Sequence, residues 1–344
     1  MIAAKVFKND ICNGSDIKIF DLLNPNDNFI NIFSGDNKFI EYSITYKNIF
    51  VLTDNQNIIY YNLKGEYIRK FERPPVNEEK IYYFIVKNNY LVFIEDNNYN
   101  YYVIYQFSRK NTNSEELVFD LVNVLYDNQP KLNTLYMLRH QQVMQMDDNN
   151  NLFINIIDNK FILINVLSGV SIHKIDTTNE YHRKTYIRFS KDGKYIFFSR
   201  KNISKGIIYV FSKENLDLIT KITTHTYNNF FINYDNELNI VYVRGDNLYV
   251  DTYNISNFSK NRTTYITNYP IKNNLISFCE RTNDLFFVIQ TTKILGLIGK
   301  ETFLMCVKNL NDENEDVIII KEYFEKCELK TILFLDSEFD KSKN

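Results

Sequence analysis

Residues 185–222 read TYIRFSKDGKYIFFSRKNISKGIIYVFSKENLDLITKI. Four runs, TYIRFS, YIFFSR, GIIYVFS and DLITKI, are rich in Ile, Phe, Tyr and Val, side chains that pack well on a pleated sheet. Each is too short for a stable helix, and polar stretches separate them. The first interruption carries Asp192-Gly193, a hairpin dipeptide because both residues tolerate positive φ. The stretch therefore predicts four antiparallel strands joined by three short turns.

FSKDGKYIFFS followed by IIYVFSKENLDLITKI resembles one blade of the WD-repeat family. The same template fits approximate units at 37–71, 79–122, 141–176, 227–267 and 273–323. The remainder is informative. The C-terminal ELKTILFLD reads as one first strand, and IAAKVF, DIKIFDL and DNFINIF near the N-terminus read as strands two to four. Joined, they make a seventh unit, and pairing the two termini would protect free sheet edges. The expectation is an all-β, seven-bladed β-propeller of four-stranded antiparallel blades, closed by N- and C-terminal strands in one shared blade. It would occupy residues 1–340 as a single domain, with 341–344 a short polar tail. Six or eight blades, or another all-β fold, are the alternatives.

Two patterns support this register. All fourteen Gly and Pro residues fall in expected turns or loops, among them Pro25, Gly65, Pro74, Pro75, Gly169, Gly245 and Pro270. The third strands end in an apolar residue followed by a short polar one: Phe20-Asp21, Tyr61-Asn62, Phe107-Ser108, Ile164-Asn165, Phe211-Ser212 and Tyr253-Asn254. These pairs resemble a degraded Trp-Asp signature, in which the polar side chain starts the next turn. Asp54, Asp96, Asp158 and Asp246 are expected in the turns between second and third strands, where the family places a structural Asp. The chain departs from the family in having no Trp and no Gly-His pair, with His225 the nearest echo. Residues 123–140 are irregular: LNTLYMLRH reads as an extra strand or a short helix.

Composition excludes several classes. The chain has 344 residues and a formal net charge of −2, so no global charge draws it to nucleic acid or an anionic membrane. Its apolar runs are shorter than the ~18 residues of a membrane span, and MIAAKVFKND lacks a signal peptide's apolar core, so an intracellular protein is expected. Asn is abundant at 48 residues, with 30 Lys against 10 Arg and Ala only at positions 3 and 4, a skew that codon bias explains without function. Cys12, Cys279, Cys306 and Cys327 show no paired metal or redox spacing and read as buried thiols. Five N-glycosylation triplets match chance when Asn is this common.

No metalloprotease, nucleophile-elbow, P-loop or dinucleotide string occurs, so no catalytic residue, metal or cofactor is expected. His140, His173, His182 and His225 lie in different units. A pore site assembled from distant strands remains the enzyme alternative. DDNNN at 147–151 lacks the spacing of a calcium loop and reads as a polar turn. Charge is sharply local, however. Residues 181–205 hold eight cations against Asp192 alone, a net of +7, while residues 312–340 carry a net of −7. In a propeller, Arg183, Lys184, Arg200, Lys201 and Lys205 would share one face, and Lys191 and Lys194 the opposite one. The reading is a non-catalytic interaction scaffold or adaptor whose basic rim meets a protein partner's acidic segment. The alternative is a structural subunit of a larger assembly.

Overall fold

The computed structural model describes residues 2–8, 15–20, 30–32, 39–44, 48–53, 55, 57–71, 80–96, 100–111, 114–127, 144–156, 160–169, 171–175, 185–201, 206–224, 227–233, 235–245, 247–267, 271–279, 284–292, 300–307, 317–323 and 327–334. They are strands and short turns throughout. In chain order the strands are β1 (Ile2–Lys8), β2 (Ser15–Phe20) and β3 (Ile30–Ile32). Next come β4 (Phe39–Ile44), β5 (Asn48–Thr53), β6 (Ile58–Asn62), β7 (Tyr67–Lys70), β8 (Lys80–Lys87), β9 (Tyr90–Asp96), β10 (Asn100–Arg109) and β11 (Leu117–Asp127). They continue as β12 (Met144–Met146), β13 (Asn151–Ile156), β14 (Lys160–Asn165), β15 (Ser171–Ile175), β16 (Thr185–Phe189), β17 (Tyr195–Lys201), β18 (Gly206–Ser212) and β19 (Leu218–Thr224). The last are β20 (Tyr227–Ile232), β21 (Glu237–Arg244), β22 (Asn247–Asn254), β23 (Ser259–Thr267), β24 (Ile271–Cys279), β25 (Asp284–Thr292), β26 (Lys300–Val307), β27 (Val317–Tyr323) and β28 (Cys327–Phe334).

The chain divides into two compact units, Phe39–Thr223 and a second made of Met1–Lys38 with Thr224–Asn344. The first holds four four-stranded sheets, β4–β7, β8–β11, β12–β15 and β16–β19, each a simple meander. Consecutive strands pair antiparallel because turns of two to seven residues suffice to join them. The first strands lie side by side, β4 by β8, β8 by β12 and β12 by β16. Ser43 ties the first two, its hydroxyl accepting from Val86 N–H and donating to Val86 C=O.

The core of this unit lies between successive sheets. Phe50, Tyr60 and Phe71 pack with Phe84, Phe93, Tyr105 and Phe107 from the next sheet. Met144, Leu152 and Ile154 meet Tyr90, Val92 and Ile104 in the same way. Phe153, Phe161 and Leu163 meet Ile187, Phe198, Tyr209 and Phe211. Both faces of a middle sheet are thus covered, so Tyr90–Phe93 of β9 and Leu152–Ile154 of β13 are buried in succession instead of alternating with solvent. Truncating one of these fully buried phenylalanines costs about 3–5 kcal/mol.

The second unit holds three sheets, β20–β23, β24–β27 and one ordered β28-β1-β2-β3. In the last, the C-terminal strand pairs antiparallel with the N-terminal one, from Ile2 opposite Phe334 to Lys8 opposite Cys327, with an irregularity at Lys5/Val6. The expected strand groups therefore fall on four-stranded sheets across the described residues. Three local readings are corrected. Gly206 opens β18, as the strand run GIIYVFS implies, so the placing of every Gly and Pro in turns or loops fails at this residue, which pairs with Lys201 at the hairpin's end. Asp96 closes β9 opposite Asn100. Residues 123–127 extend β11, while 128–143 lie outside the described residues.

Candidate interaction surface

The ends of the sheets carry the polar chemistry. In β16–β19 the register places Thr185 opposite Arg200 and Lys201 opposite Gly206. Arg200 and Lys201 are thus at one end of this sheet, and the residues next to them across the ladders follow Lys184 and Lys205 directly in sequence. Arg183, Lys184 and Lys205 lie outside the described residues, as do the side chains of Arg200 and Lys201. The hairpin Ser190–Lys194 is at the other end. Its Lys191 and Lys194 are exposed, and Gly193 adopts φ +70°, as the Asp-Gly reading requires. Asp192 Oδ1 accepts from Ser190 Oγ and from Lys194 N–H, closing that turn.

A network spanning three sheets of the first unit lies at the latter end. Asp147, at the close of β12, is buried. Its Oδ1 accepts the N–H groups of Asn149 and Asn151, which shapes the hairpin turn. Its Oδ2 accepts from Asn151 Nδ2 and from Lys213 Nζ, the latter at 2.5 Å, although Lys213 belongs to the turn after β18. Asn88, in the β8–β9 turn, donates to Asp147 C=O and Asn150 Oδ1, and Lys87 pairs with Asp148 at 2.7 Å. The DDNNN run is thus a hairpin turn, but one whose first carboxylate ties neighbouring sheets together. Sequence reasoning missed Lys213, since 66 residues separate the partners and no local pattern links them.

The short polar residues after the third strands behave largely as expected. Asn62 Oδ1 accepts from Lys64 and Glu66 N–H, Asn165 Oδ1 from Ser168 N–H, Ser212 Oγ from Glu214 N–H and Asn254 Oδ1 from Ser256 N–H. Each supplies an acceptor to a turn whose backbone donors lack strand partners. Ser108 is the exception: β10 runs on to Arg109, and Ser114 Oγ accepts from Glu116 N–H instead. Asp21, Asp54, Asp158 and Asp246 lie outside the described residues.

In the second unit, Asp251 on β22 is the buried hub. Its Oδ1 accepts from Tyr242 Oη at 3.2 Å, Thr263 Oγ1 at 2.7 Å and Lys260 Nζ at 2.9 Å. Burial, reinforced by the Asp251 charge and hydrogen bond, pushes the Tyr242 hydroxyl up to about 12. The polar groups are thus matched internally, which favours a structural role. Among the described residues no group of three or more His, Cys, Asp or Glu side chains is placed to hold a metal. His173 pairs with Ile162 within its sheet, and the other three histidines lie outside the described residues. Among the described residues, no helix is long and apolar enough to cross a membrane.

No known family matches the chain by sequence, and no curated protein does. Solved structures match the fold. The WD40 domain of Toxoplasma gondii coronin aligns with a TM-score of 0.55 at 10% identity, covering 92% of this chain and 77% of that one. The β-propeller domain of Myceliophteria thermophila Cps50 (Swd1) aligns at 0.50 and 9% identity, covering 83% and 92%. Dihydro-heme d1 dehydrogenase NirN aligns at 0.56 and 9% identity, covering 93% and 67%. The fold is similar to that of these β-propellers, WD40 domains among them. At these identities the likeness concerns the fold alone.

Proposed function

We propose that the chain is a non-catalytic protein–protein interaction scaffold of WD-repeat type, acting inside the cell. Its sheets form seven blades of one propeller domain spanning residues 1–340, and β28 completes a blade with β1–β3. The pairing of β28 with β1 supports that closure. Stacked sheets with buried strands provide a rigid frame, so residues at the sheet ends vary without disturbing the core. The basic end of β16–β18 is the partner site, with Arg183, Lys184, Arg200, Lys201 and Lys205 receiving an acidic segment. The observation that carries this reading is the register, which sets Arg200 and Lys201 beside the residues that follow Lys184 and Lys205.

The test is fluorescence anisotropy with a labelled ten-residue Glu-rich peptide and the full chain. Wild type binds at low salt and weakens as salt approaches ~0.15 M, where the Debye length is about 8 Å. Charge reversal of all five cations to Glu abolishes binding, with far-UV circular dichroism unchanged. Binding that survives charge reversal, or that ignores salt, refutes the site. Closure has its own test: deleting residues 327–344 exposes β1, so amide exchange accelerates in β1 and β2 if the terminal blade exists.

A further inference from the structure

Strand β11 (Leu117–Asp127) is, at 11 residues, the longest among the described residues and the outermost in its sheet, which is ordered β11-β10-β9-β8. One edge pairs with β10. Lys110 N–H bonds Glu116 C=O across the ladder, whereas Leu117 N–H turns away from β10 to Tyr60 Oη at 3.2 Å. Antiparallel strands alternate bonded and non-bonded positions, so Phe119 and Leu121 present their N–H and C=O groups on that same outer edge. Native sheets blunt such edges with Lys, Pro, bulges or short length. Here β11 has an irregularity opposite Ile104/Tyr105, yet Val118, Leu121 and Val122 stay 41%, 54% and 39% exposed.

The charge along this edge has one sign. Residues 115–127 contain Glu115, Glu116, Asp120 and Asp127 and no Lys or Arg. Glu116 is taken by Arg69 and Lys110, but exposed Asp120 has no side-chain partner among the described residues. We propose that the outer edge of β11 binds a partner's extended segment in which basic and apolar residues alternate, adding it to the sheet as a further strand. Main-chain bonds to Phe119 and Leu121 supply binding, the apolar side chains cover Leu121, and on the opposite face a cation meets Asp120. A second copy of this chain is a poor occupant. Antiparallel self-pairing about Leu121 sets each Asp120 opposite Val122 of the other copy, leaving two like charges diagonally adjacent with no cation between them. The site is independent of the basic end of β16–β18.

The test uses the full chain and three labelled octapeptides: alternating Lys and Val, its counterpart N-methylated at every second residue, and alternating Glu and Val. The Lys–Val peptide binds and slows amide exchange at Phe119 and Leu121. N-methylation, which removes the edge hydrogen bonds, weakens binding by about tenfold or more, and Asp120→Lys does the same. Leu121→Lys, at an exposed position, provides a second folded variant that loses binding. Equal binding of the Glu–Val or N-methylated peptide, protection confined to residues outside β11, or a β11-mediated dimer of the free chain overturns the proposal.

Discussion

The Asp147–Lys213 pair joins turns of two neighbouring sheets, and a double-mutant cycle measures what it contributes. The side chains are 6% and 15% exposed, so solvent screens the pair little. Removing one partner of a buried pair costs about 3–5 kcal/mol, because the other charge is left without compensation. Lys213→Met falls at the low end or below, since Asp147 keeps two backbone N–H groups and Asn151 Nδ2. Asp147→Asn costs more: its amide retains one acceptor, but its NH2 group then faces both the Lys213 ammonium and Asn151 Nδ2. The double variant is less destabilised than the sum of the singles, giving a coupling of about 1.5–3 kcal/mol. Urea midpoints are read by tyrosine fluorescence, which is clean here because the chain has 26 Tyr and no Trp. The coupling persists as salt rises from about 0.05 to about 0.5 M, unlike that of an exposed pair. A coupling below about 0.5 kcal/mol would show that the two side chains do not tie the sheets, and would refute the reasoning.

Further outcomes are expected at single positions. Asn88 and Asn89 form a two-residue hairpin turn with φ of 51° and 64°; Asn89→Gly raises stability by up to about 1 kcal/mol, whereas Asn88→Gly lowers it by about 1 kcal/mol by removing two side-chain hydrogen bonds, both read from urea midpoints. Tyr60→Phe strands the buried N–H of Leu117 and costs about 1–3 kcal/mol; amide exchange at Leu117 accelerates ahead of its neighbours if that bond matters. Tyr242 keeps its proton to about 12 in the folded chain, against about 10 when unfolded. Its contribution is therefore complete below pH ~10 and is lost as pH rises from ~10 to ~12, so wild type loses more stability over that window than Tyr242→Phe does.

The strand order was legible because short β-branched and aromatic runs recur between turn residues, and Asp192-Gly193 marks one hairpin unambiguously. Asn62, Asn165, Ser212 and Asn254 were legible as turn-starting acceptors, since that role depends only on residues two to four positions away. Ser108 misled because its strand runs one residue further and leads into a longer loop, so an apolar–polar pair alone does not locate the turn. Asp147 showed the limit more clearly. Its burial and its bond to Lys213 depend on which sheets become neighbours, information that no window of local sequence contains. The open edge of β11 was hidden for a related reason: a strand's pattern reveals its faces, but only sheet order reveals which edge lacks a partner. The five rim cations were visible as a charge run, and the strand register adds that two of them share one end of a sheet.

The central claim is that the chain holds a protein partner at the basic end of β16–β18. Affinity purification from the native source with cross-linking mass spectrometry tests it most directly. Wild type is compared with the variant in which Arg183, Lys184, Arg200, Lys201 and Lys205 are all changed to Glu, after circular dichroism has shown that both fold alike. The account predicts a reproducible partner whose acidic segment cross-links to Lys184, Lys201 or Lys205 in wild type and disappears in the variant. A partner retained equally by both, cross-linked elsewhere, would contradict it.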